Sequence, residues 1–305
     1  MKYKFYTADV FTDQIFGGNQ LAVFPNSRGL NTQTMQKIAA EFNLSETVFV
    51  FPPQTSQGTR KIRIFTPVTE LHFAGHPTIG TAYVLSFIGE ISISEEKQTI
   101  LLEEGIGLVS VSIKIERGKP VYTELKAAQL PTFNDNSPSV MELVSILGLK
   151  IADFRDDKYF IQGVSCGVPF LFVPLHNREA LGHIQFNRDC WQHILANHWA
   201  PSVYVFCFDP EREGSDLRAR MFAPSMGILE DPATGSAATA LGGYLAIREE
   251  IPNATLNWRV EQGFEMGRPS ILEIIAKKKQ GKVIEIQVGG SSVLVSEGSM
   301  EIPDL

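Results

Sequence analysis

The sequence has little of what marks disulfide-stabilised, membrane or nucleic-acid-binding proteins. Of its 305 residues three are cysteines, Cys166, Cys190 and Cys207, and their odd number and spacing predict neither a disulfide framework nor a metal site. The longest apolar run, near residues 168–175, is too short to cross a membrane. Acidic residues number 34 against 27 basic ones, for a net charge of −7, so no basic surface for nucleic acid or anionic lipid is expected.

Sequence motifs for the common cofactors are missing as well. No Gly-x-Gly-x-x-Gly precedes a helical segment, and no Walker A, His-Glu-x-x-His or Cys-x-x-Cys pattern occurs, so nucleotide, flavin and zinc chemistry have no local support. Residues 1–5 are expected to form a strand and not a signal peptide. With few cysteines and no apolar span, the expected location is the reducing cytoplasm.

What the chain does have is strand-forming sequence and a few helical segments. Its length and its hydrophobic content of 44% are typical of two globular domains. Apolar residues at helical spacing predict a helix over residues 32–42. Two further apolar segments, 77–87 and 232–247, predict helices that begin at a proline. Runs of β-branched and aromatic residues predict strands at 21–24, 47–51, 61–65 and 109–113.

Two segments of the chain match each other and differ at one charged position. Residues 65–82 and 222–237 both read Phe-x-Pro, a short gap, then x-Pro-x-x-Gly-(Thr/Ser)-Ala. The residue before the second proline is His76 in the first copy and Asp231 in the second. A duplicated frame that holds His in one copy and Asp in the other predicts two half-sites that face one pocket.

The repeat extends beyond this motif. Five landmarks recur in the same order at a nearly constant offset of about 155 residues. They include the strand run 47–51, which parallels 203–207, and Glu-Glu-Gly at 103–105, which parallels Glu-Gln-Gly at 261–263. The chain is therefore expected to contain two copies of one strand-rich unit with one long apolar helix each.

A helix that is apolar on most sides has to be buried, so each copy is expected to wrap a curved sheet around its helix. The predicted fold class is α+β, with two pseudo-symmetric domains, each a barrel-like, mostly antiparallel sheet around a central helix. A cluster of Pro, Asn and Asp in 126–139 places the boundary there, with domains over 1–127 and 128–305. The last strands, 283–288 and 292–295, could return to the first domain.

Asp231, His76 and Glu46 are the candidate catalytic residues. Asp231 is expected at the N-cap of a helix, where it either caps the helix alone or also lies beside N–H groups of Gly235 and Ser236 that could hold a substrate anion. His76 occupies the same slot in the first copy; histidine is a poor N-cap, which favours a function over a structural role, either to bond a substrate or to shuttle a proton.

Glu46 lies at the junction of a helix and an apolar strand, and the matching residue of the second copy is Ser202. The simpler interpretation is a solvated charge at the start of a strand. If Glu46 instead points into a cleft between the domains, it is suited to general acid/base catalysis.

The residues of these motifs and their order along the chain resemble those of the PhzF-like phenazine-biosynthesis proteins, which are relatives of diaminopimelate epimerase. The most specific matches are Gly-His-Pro-Thr at 75–78 and Asp-Pro-Ala-Thr-Gly-Ser-Ala at 231–237. Further matching segments lie at 9–12, 17–23, 43–47, 65–67, 70–71 and 288–291.

The resemblance implies the diaminopimelate epimerase-like fold, an active site between two domains, a homodimer and a 1,3-hydrogen shift on a small carboxylate-bearing metabolite without a cofactor. It also implies that Glu46 is the acid/base group and that His76 and Asp231 are pocket residues. The substrate-binding positions implied by the matched motifs are Asn19, Ser45, Gly75, Thr234, Gly235 and Ser236.

Epimerases of the wider superfamily use two cysteines as paired bases. The three cysteines here lie outside both matched motifs, and the usual Cys before Gly-His is Ala74, which disfavours a two-thiol epimerase. Two alternatives remain open at this point. One is a binding protein on the same scaffold without catalysis, and the other is a racemase or epimerase that uses carboxyl and imidazole bases.

Overall fold

The computed structural model describes residues 1–303 and divides the chain into two compact units. The first unit contains Met1–Lys126 and the C-terminal segment from Gly289, and the second contains Ala127–Val288. Up to Lys126 the elements are β1 Lys2–Val10, β2 Asn19–Phe24, α1 Thr32–Phe42, β3 Glu46–Phe51, β4 Arg60–Phe65, β5 Glu70–Leu71, α2 Gly75–Phe87, β6 Lys97–Glu104, β7 Gly107–Glu116 and β8 Lys119–Lys126. The following elements are β9 Thr132–Asn134, α3 Val140–Leu147, β10 Gln162–Ser165, β11 Pro169–Pro174, α4 Arg178–Gly182, α5 Arg188–Ile194, β12 Ser202–Cys207, β13 Leu217–Ala223, β14 Ile228–Asp231, α6 Gly235–Ala246, β15 Ala254–Gln262, β16 Ser270–Lys279, β17 Lys282–Gly290 and β18 Ser292–Glu301.

In the first unit a mostly antiparallel sheet surrounds helix α2. Strand β1 pairs with β18 and with β2, β2 runs parallel to β3, and β3–β4 and β6–β7–β8 are antiparallel. Helix α2 packs against β1, β2, β3, β7, β8 and β18, and every residue from Gly75 to Ser86 is buried. The sequence predicts this burial, because a helix that is apolar on all sides has no face to turn to water.

Close contact between α2 and the sheet depends on a small residue. A Cβ atom at Gly80 would lie 2.5 Å from Cγ2 of Val10 and 2.6 Å from Cδ2 of Leu21, closer than carbon atoms approach without displacement. Glycine at this position therefore lets β1 and β2 lie directly on the helix.

The second unit repeats this arrangement around α6. Strands β10 and β11 are antiparallel, β11 runs parallel to β12, and β12–β13 and β15–β16 are antiparallel. Helix α6 packs against β10, β11, β15 and β16. On the outer side, apolar residues of α3, α4 and α5 form a further core with the sheet, which includes Leu147, Leu181 and Trp191.

The register of the strands shows that the sequence repeat is also a structural repeat. Three residue pairs on neighbouring strands of the first unit recur at the matching residues of the second. Leu21 pairs with Glu46, as Phe170 pairs with Ser202. Thr47 pairs with Phe65, as Val203 pairs with Phe222, and Arg60 pairs with Leu102, as Leu217 pairs with Val260. The predicted fold class, α+β with a mostly antiparallel sheet around a central helix in each copy, is confirmed.

The starts of the two central helices differ from the prediction that each begins at its proline. Helix α2 begins earlier, at Gly75, because the N–H of Thr78 already bonds to the carbonyl oxygen of Ala74; Pro77 is tolerated because first-turn N–H groups have no partner within a helix.

Helix α6 begins later than predicted, at Gly235 with Thr234 at its N-cap, because Asp231 is still part of β14 and pairs with Met221. Asp231 is therefore not an N-cap, and that prediction is wrong.

None of the helices in residues 1–303 combines the length and apolar character needed to cross a membrane.

Candidate active site

Glu46 is the first residue of β3 and is buried, with 6% of its surface exposed. Helix α1 ends at Phe42 and is capped by Asn43, whose left-handed backbone turns the chain toward the strand. Strand β3 is flanked on both sides, by β2 and β4, so its first residue lies at the end of a buried sheet. The solvated charge at a strand start that the sequence allowed is not what the structure contains.

The carboxylate of Glu46 contacts the imidazole of His76, the second residue of α2. Oε2 of Glu46 lies 3.1 Å from Nε2 of His76, and the two side chains are 8% and 5% exposed. A carboxylate and an imidazole are both groups that enzymes use for proton transfer, and here they lie within 3.1 Å of each other. The structure thus brings together two of the three predicted catalytic residues in a site shielded from water.

The other predicted residues of the first unit lie at the starts of neighbouring elements. Asn19 is the first residue of β2 and is buried, two positions before Leu21, which pairs with Glu46. Ser45 directly precedes Glu46 and is half-buried, and Gly75 is the first residue of α2 and is buried. We call Asn19, Ser45, Glu46, Gly75 and His76 the first half-site.

Asp231 belongs to a hydrogen-bonded network in the second unit. The hydroxyl of Thr234 donates to Oδ2 of Asp231 over 2.6 Å, and both residues are buried. Gly235, also buried, and the half-buried Ser236 begin helix α6. First-turn N–H groups and the helix dipole favour an anion at such a position. We call Asp231, Thr234, Gly235 and Ser236 the second half-site.

Gln262, which the sequence did not single out as a site residue, fixes the geometry of the second half-site. Its Nε2 donates to the main-chain oxygen of Asp231 over 2.8 Å and to Oγ1 of Thr234 over 2.9 Å. Its Oε1 accepts from the main-chain N–H of Thr234 and from the hydroxyl of Tyr204. Both the nitrogen and the oxygen of the fully buried amide are therefore hydrogen-bonded, and these bonds fix Asp231 and Thr234 relative to each other.

Glu104, the last residue of β6, occupies the equivalent position in the first unit and was also missed. Its Oε1 lies 2.7 Å from the hydroxyl oxygen of Thr78, which lies 2.7 Å from the carbonyl oxygen of Ala74. Within residues 1–303 its Oε2 is buried and has no hydrogen-bond partner. Burial raises the pKa of the Glu104 carboxyl to about 8.

The residues before this pair, Glu103 and Glu261, have structural roles. Each carboxylate accepts two consecutive main-chain N–H groups of a loop: Gln54 and Thr55 for Glu103, and Glu211 and Arg212 for Glu261. The landmark that recurs at 103–105 and 261–263 thus combines a loop anchor with a side chain that reaches the start of the central helix.

Ser202, the counterpart of Glu46, is the first residue of β12 and fully buried. Its hydroxyl oxygen has no hydrogen-bond partner among the described residues. A serine cannot serve as the base that a carboxylate provides at the same place. The two copies therefore differ in chemistry at a position where their backbones agree.

Two of the three cysteines, Cys166 and Cys207, are unsuited to act as bases. Burial raises the pKa of the Cys166 thiol to about 12 and that of Cys207 to about 11, so both are protonated at neutral pH. In the part of the chain that the structure describes, no group of three or more His, Cys, Asp or Glu side chains is arranged to hold a metal ion.

Comparison with known proteins identifies the family. The family described as phenazine biosynthesis-like protein matches residues 8–298. An uncharacterized isomerase of Mesorhizobium japonicum is 36% identical over 297 residues, 96% of this chain and 97% of that protein. The trans-2,3-dihydro-3-hydroxyanthranilate isomerase of Pseudomonas aeruginosa is 34% identical over 296 residues, 97% of this chain and 98% of that protein.

A solved structure agrees with these relatives. The PhzF-family phenazine biosynthesis protein of Bacillus anthracis superposes with a TM-score of 0.89 at 26% identity, covering 99% of this chain and 100% of that one. The resemblance found in the sequence motifs is confirmed. The chain belongs to the family of phenazine biosynthesis-like proteins and, with relatives that are named isomerases, is an enzyme of the isomerase class.

Proposed function

We propose that this protein is a cofactor-independent isomerase that shifts a hydrogen between two carbon atoms of a small carboxylate-bearing metabolite. The observation that carries the proposal is the buried contact between Glu46 and His76, with Oε2 and Nε2 3.1 Å apart. A shift of this kind needs one group that removes a proton from carbon and returns it. Glu46, shielded from water beside an imidazole, fits that requirement.

The proposed reaction conserves atoms and electrons within the substrate. Glu46 removes a proton from an allylic carbon, and the electron pair left behind forms a new double bond to the adjacent carbon. The π electrons of the original double bond move to its far carbon, where Glu46 returns the proton. The double bond changes place, and nothing is oxidised or reduced. The imidazole of His76, which lies 3.1 Å from the Glu46 carboxylate, orients that group, and Asp231 accepts hydrogen bonds from polar groups of the substrate.

The proposed substrate carries a carboxylate, because helix α6 begins at Gly235 and Ser236 and a helix N-terminus favours an anion. The P. aeruginosa relative is named for trans-2,3-dihydro-3-hydroxyanthranilate, which has a carboxylate beside an unsaturated ring. That compound is the first candidate to test.

The test is to incubate the protein with this compound in D₂O and to follow it by NMR and mass spectrometry. We expect the double bond to move and deuterium to enter at the carbon that accepts the proton. Inversion at one carbon without movement of the double bond would point to an epimerase, and binding without any change of the compound would point to a binding protein; either outcome contradicts the proposed shift.

Two expectations from the family resemblance stay predictions. The first is that both half-sites serve one substrate, which the Asp231 variant described in the Discussion tests. The second is a homodimer. Light scattering coupled to size-exclusion chromatography should give twice the chain mass of 33.8 kDa, and a monomer at micromolar concentration would contradict it.

A further inference from the structure

The hydroxyl of Thr78 lies between two oxygen atoms and has only one hydrogen to give. Its oxygen is 2.7 Å from the carbonyl oxygen of Ala74 and 2.7 Å from Oε1 of Glu104. A main-chain carbonyl can only accept a hydrogen bond, and an ionised carboxylate can only accept as well. Both short contacts are hydrogen bonds at the same time only if Glu104 carries a proton and donates it to Thr78.

The second unit contains a comparable arrangement with an unambiguous donor, at a threonine that is the N-cap of α6 and not, like Thr78, a residue within the helix. The hydroxyl of Thr234 donates to Asp231 and accepts from Nε2 of Gln262. The orientation of that amide is fixed, because Nε2 also faces the main-chain oxygen of Asp231, which only accepts. In both units the residue that ends the strand after the central helix, Glu104 or Gln262, therefore reaches back to a threonine hydroxyl at the start of the helix.

We propose that Glu104 is a neutral carboxylic acid that does in the first unit what Gln262 does in the second, and that it is a positioning residue for the start of helix α2. Its catalytic consequence rests on the proposed function; its protonation does not. The unpartnered Oε2 agrees with this assignment, since a buried ionised oxygen without a partner is far more costly than a neutral one. The raised pKa of this carboxyl agrees with it too.

Glu104 acts on the first half-site through one peptide group. Thr78 donates to the carbonyl oxygen of Ala74, and the same peptide group carries the N–H of Gly75. In a trans peptide the C=O and the N–H point in opposite directions, so a fixed carbonyl also fixes where the Gly75 N–H points. Gly75 is a predicted substrate-binding residue and the neighbour of His76, so a loss of this hydrogen-bond chain is expected to misalign both.

Infrared spectroscopy of the whole protein tests the protonation without any substrate. The difference spectrum of the wild type minus Glu104→Gln at pH 6.5 should contain the C=O band of a protonated carboxylic acid, and this band should disappear as the pH is raised above about 8. A difference spectrum that contains only carboxylate bands at pH 6.5 would overturn the proposal. The control is Glu116→Gln, which removes an exposed carboxylate and should give carboxylate bands alone.

Turnover of the D₂O reaction tests the positioning role. Glu104→Gln keeps an amide donor at the right length and should retain activity within about threefold, whereas Glu104→Ala and Thr78→Val should lower kcat at least about tenfold, because small misplacements near reacting groups are costly. Circular dichroism verifies that the variants are folded. Equal activity of Glu104→Ala and Glu104→Gln, both folded, would overturn the role. If the wild type converts no substrate, the proposed function fails while the infrared result still decides the state of Glu104.

Discussion

The two half-sites are built on the same backbone and filled with different chemistry. Each unit presents three corresponding positions: the start of a central strand, the residue before the proline of the repeated motif and the end of the strand that follows the central helix. They hold Glu46, His76 and Glu104 in the first unit and Ser202, Asp231 and Gln262 in the second. The two copies thus keep a common geometry with different side chains, and in the proposed reaction the first serves proton transfer and the second orientation.

The difference is clearest in how the polar groups are bonded. In the second unit Asp231, Thr234 and Gln262 bond to one another, which fixes their positions and leaves little freedom for a proton to move. In the first unit Glu46 and His76 form a buried pair of titratable groups. A pair of this kind can exchange a proton with a substrate, and we therefore propose the first half-site for the acid/base step.

The largest effect that distinguishes the two units is expected from a change of the residue that starts the central strand in each. We expect Glu46→Gln to lower turnover by about 10³- to 10⁴-fold, the upper range for loss of a general acid/base. Ser202→Ala should change turnover by no more than about twofold, because a serine there supplies no base. Initial rates on the substrate found in the D₂O experiment measure both, and a loss of similar size in the two variants would contradict the division of roles.

A smaller effect is expected at the pair Asp231 and Thr234. Asp231→Asn keeps an oxygen that accepts from Thr234 but removes the charge, and it should lower kcat/KM by about 10- to 100-fold because oriented contacts with the substrate weaken. Thr234→Ser, which keeps the hydroxyl, is the matched control and should stay near the wild type. If Asp231→Asn has wild-type kinetics, the second half-site does not serve the reaction.

The close packing of the sheet against the central helix can be tested at Gly80 of α2. Gly80→Ala should lower the free energy of unfolding by about 1–3 kcal/mol, because the new methyl group overlaps Val10 and Leu21, even though alanine favours helix by about 1 kcal/mol. Gly182→Ala is the control, since a Cβ there would meet no atom of the described chain within 4 Å. Urea unfolding measures both, and a stabilised Gly80→Ala would mean that the helix and sheet are less tightly packed than described.

The last prediction concerns the pH dependence of stability. The pKa of the Glu104 carboxyl is raised in the folded protein from 4.5 to about 8, so between these values the folded state keeps a proton that the unfolded state has released. Stability from this group is therefore complete below about pH 4.5 and falls as the pH rises, by up to about 1.4 kcal/mol per pH unit.

Urea unfolding at several pH values compares this dependence between the two copies. Glu104→Gln should flatten the decline between pH 5 and pH 8, and Gln262→Glu should make it steeper by introducing a second buried carboxyl. An unchanged slope in Glu104→Gln would contradict the raised pKa of this carboxyl.

Much of the fold followed from local patterns in the sequence. The limits of α1 agree with the predicted residues 32–42, and the predicted strand runs lie within β2, β3, β4 and β7. The prediction that α2 and α6 each begin at a proline is wrong for both helices. Hydrogen bonds around Ala74 and the pairing of Asp231 with Met221 decide those starts instead, and neither is visible in the propensity of the residues.

The candidate site was predictable only in part for the same reason. Glu46 and His76 stood out because the two copies differ there and because of the family motifs. Glu104 and Gln262 did not, since each acts through a contact with a threonine 26 or 28 residues away in the chain. The sequence signal for them is the recurrence of Glu-Glu-Gly and Glu-Gln-Gly, whose second residue is polar in both copies.

In the proposed reaction Glu46 alone carries the proton between carbon atoms, and solvent-deuterium incorporation tests this role most directly. Wild type, Glu46→Gln and Ser202→Ala are each saturated with substrate in D₂O, with binding verified by calorimetry, and the deuterium content of recovered substrate and product is followed by mass spectrometry. We expect the wild type and Ser202→Ala to incorporate deuterium, and Glu46→Gln to incorporate none above background although it still binds the substrate. Incorporation by Glu46→Gln at a rate near that of the wild type would contradict this role.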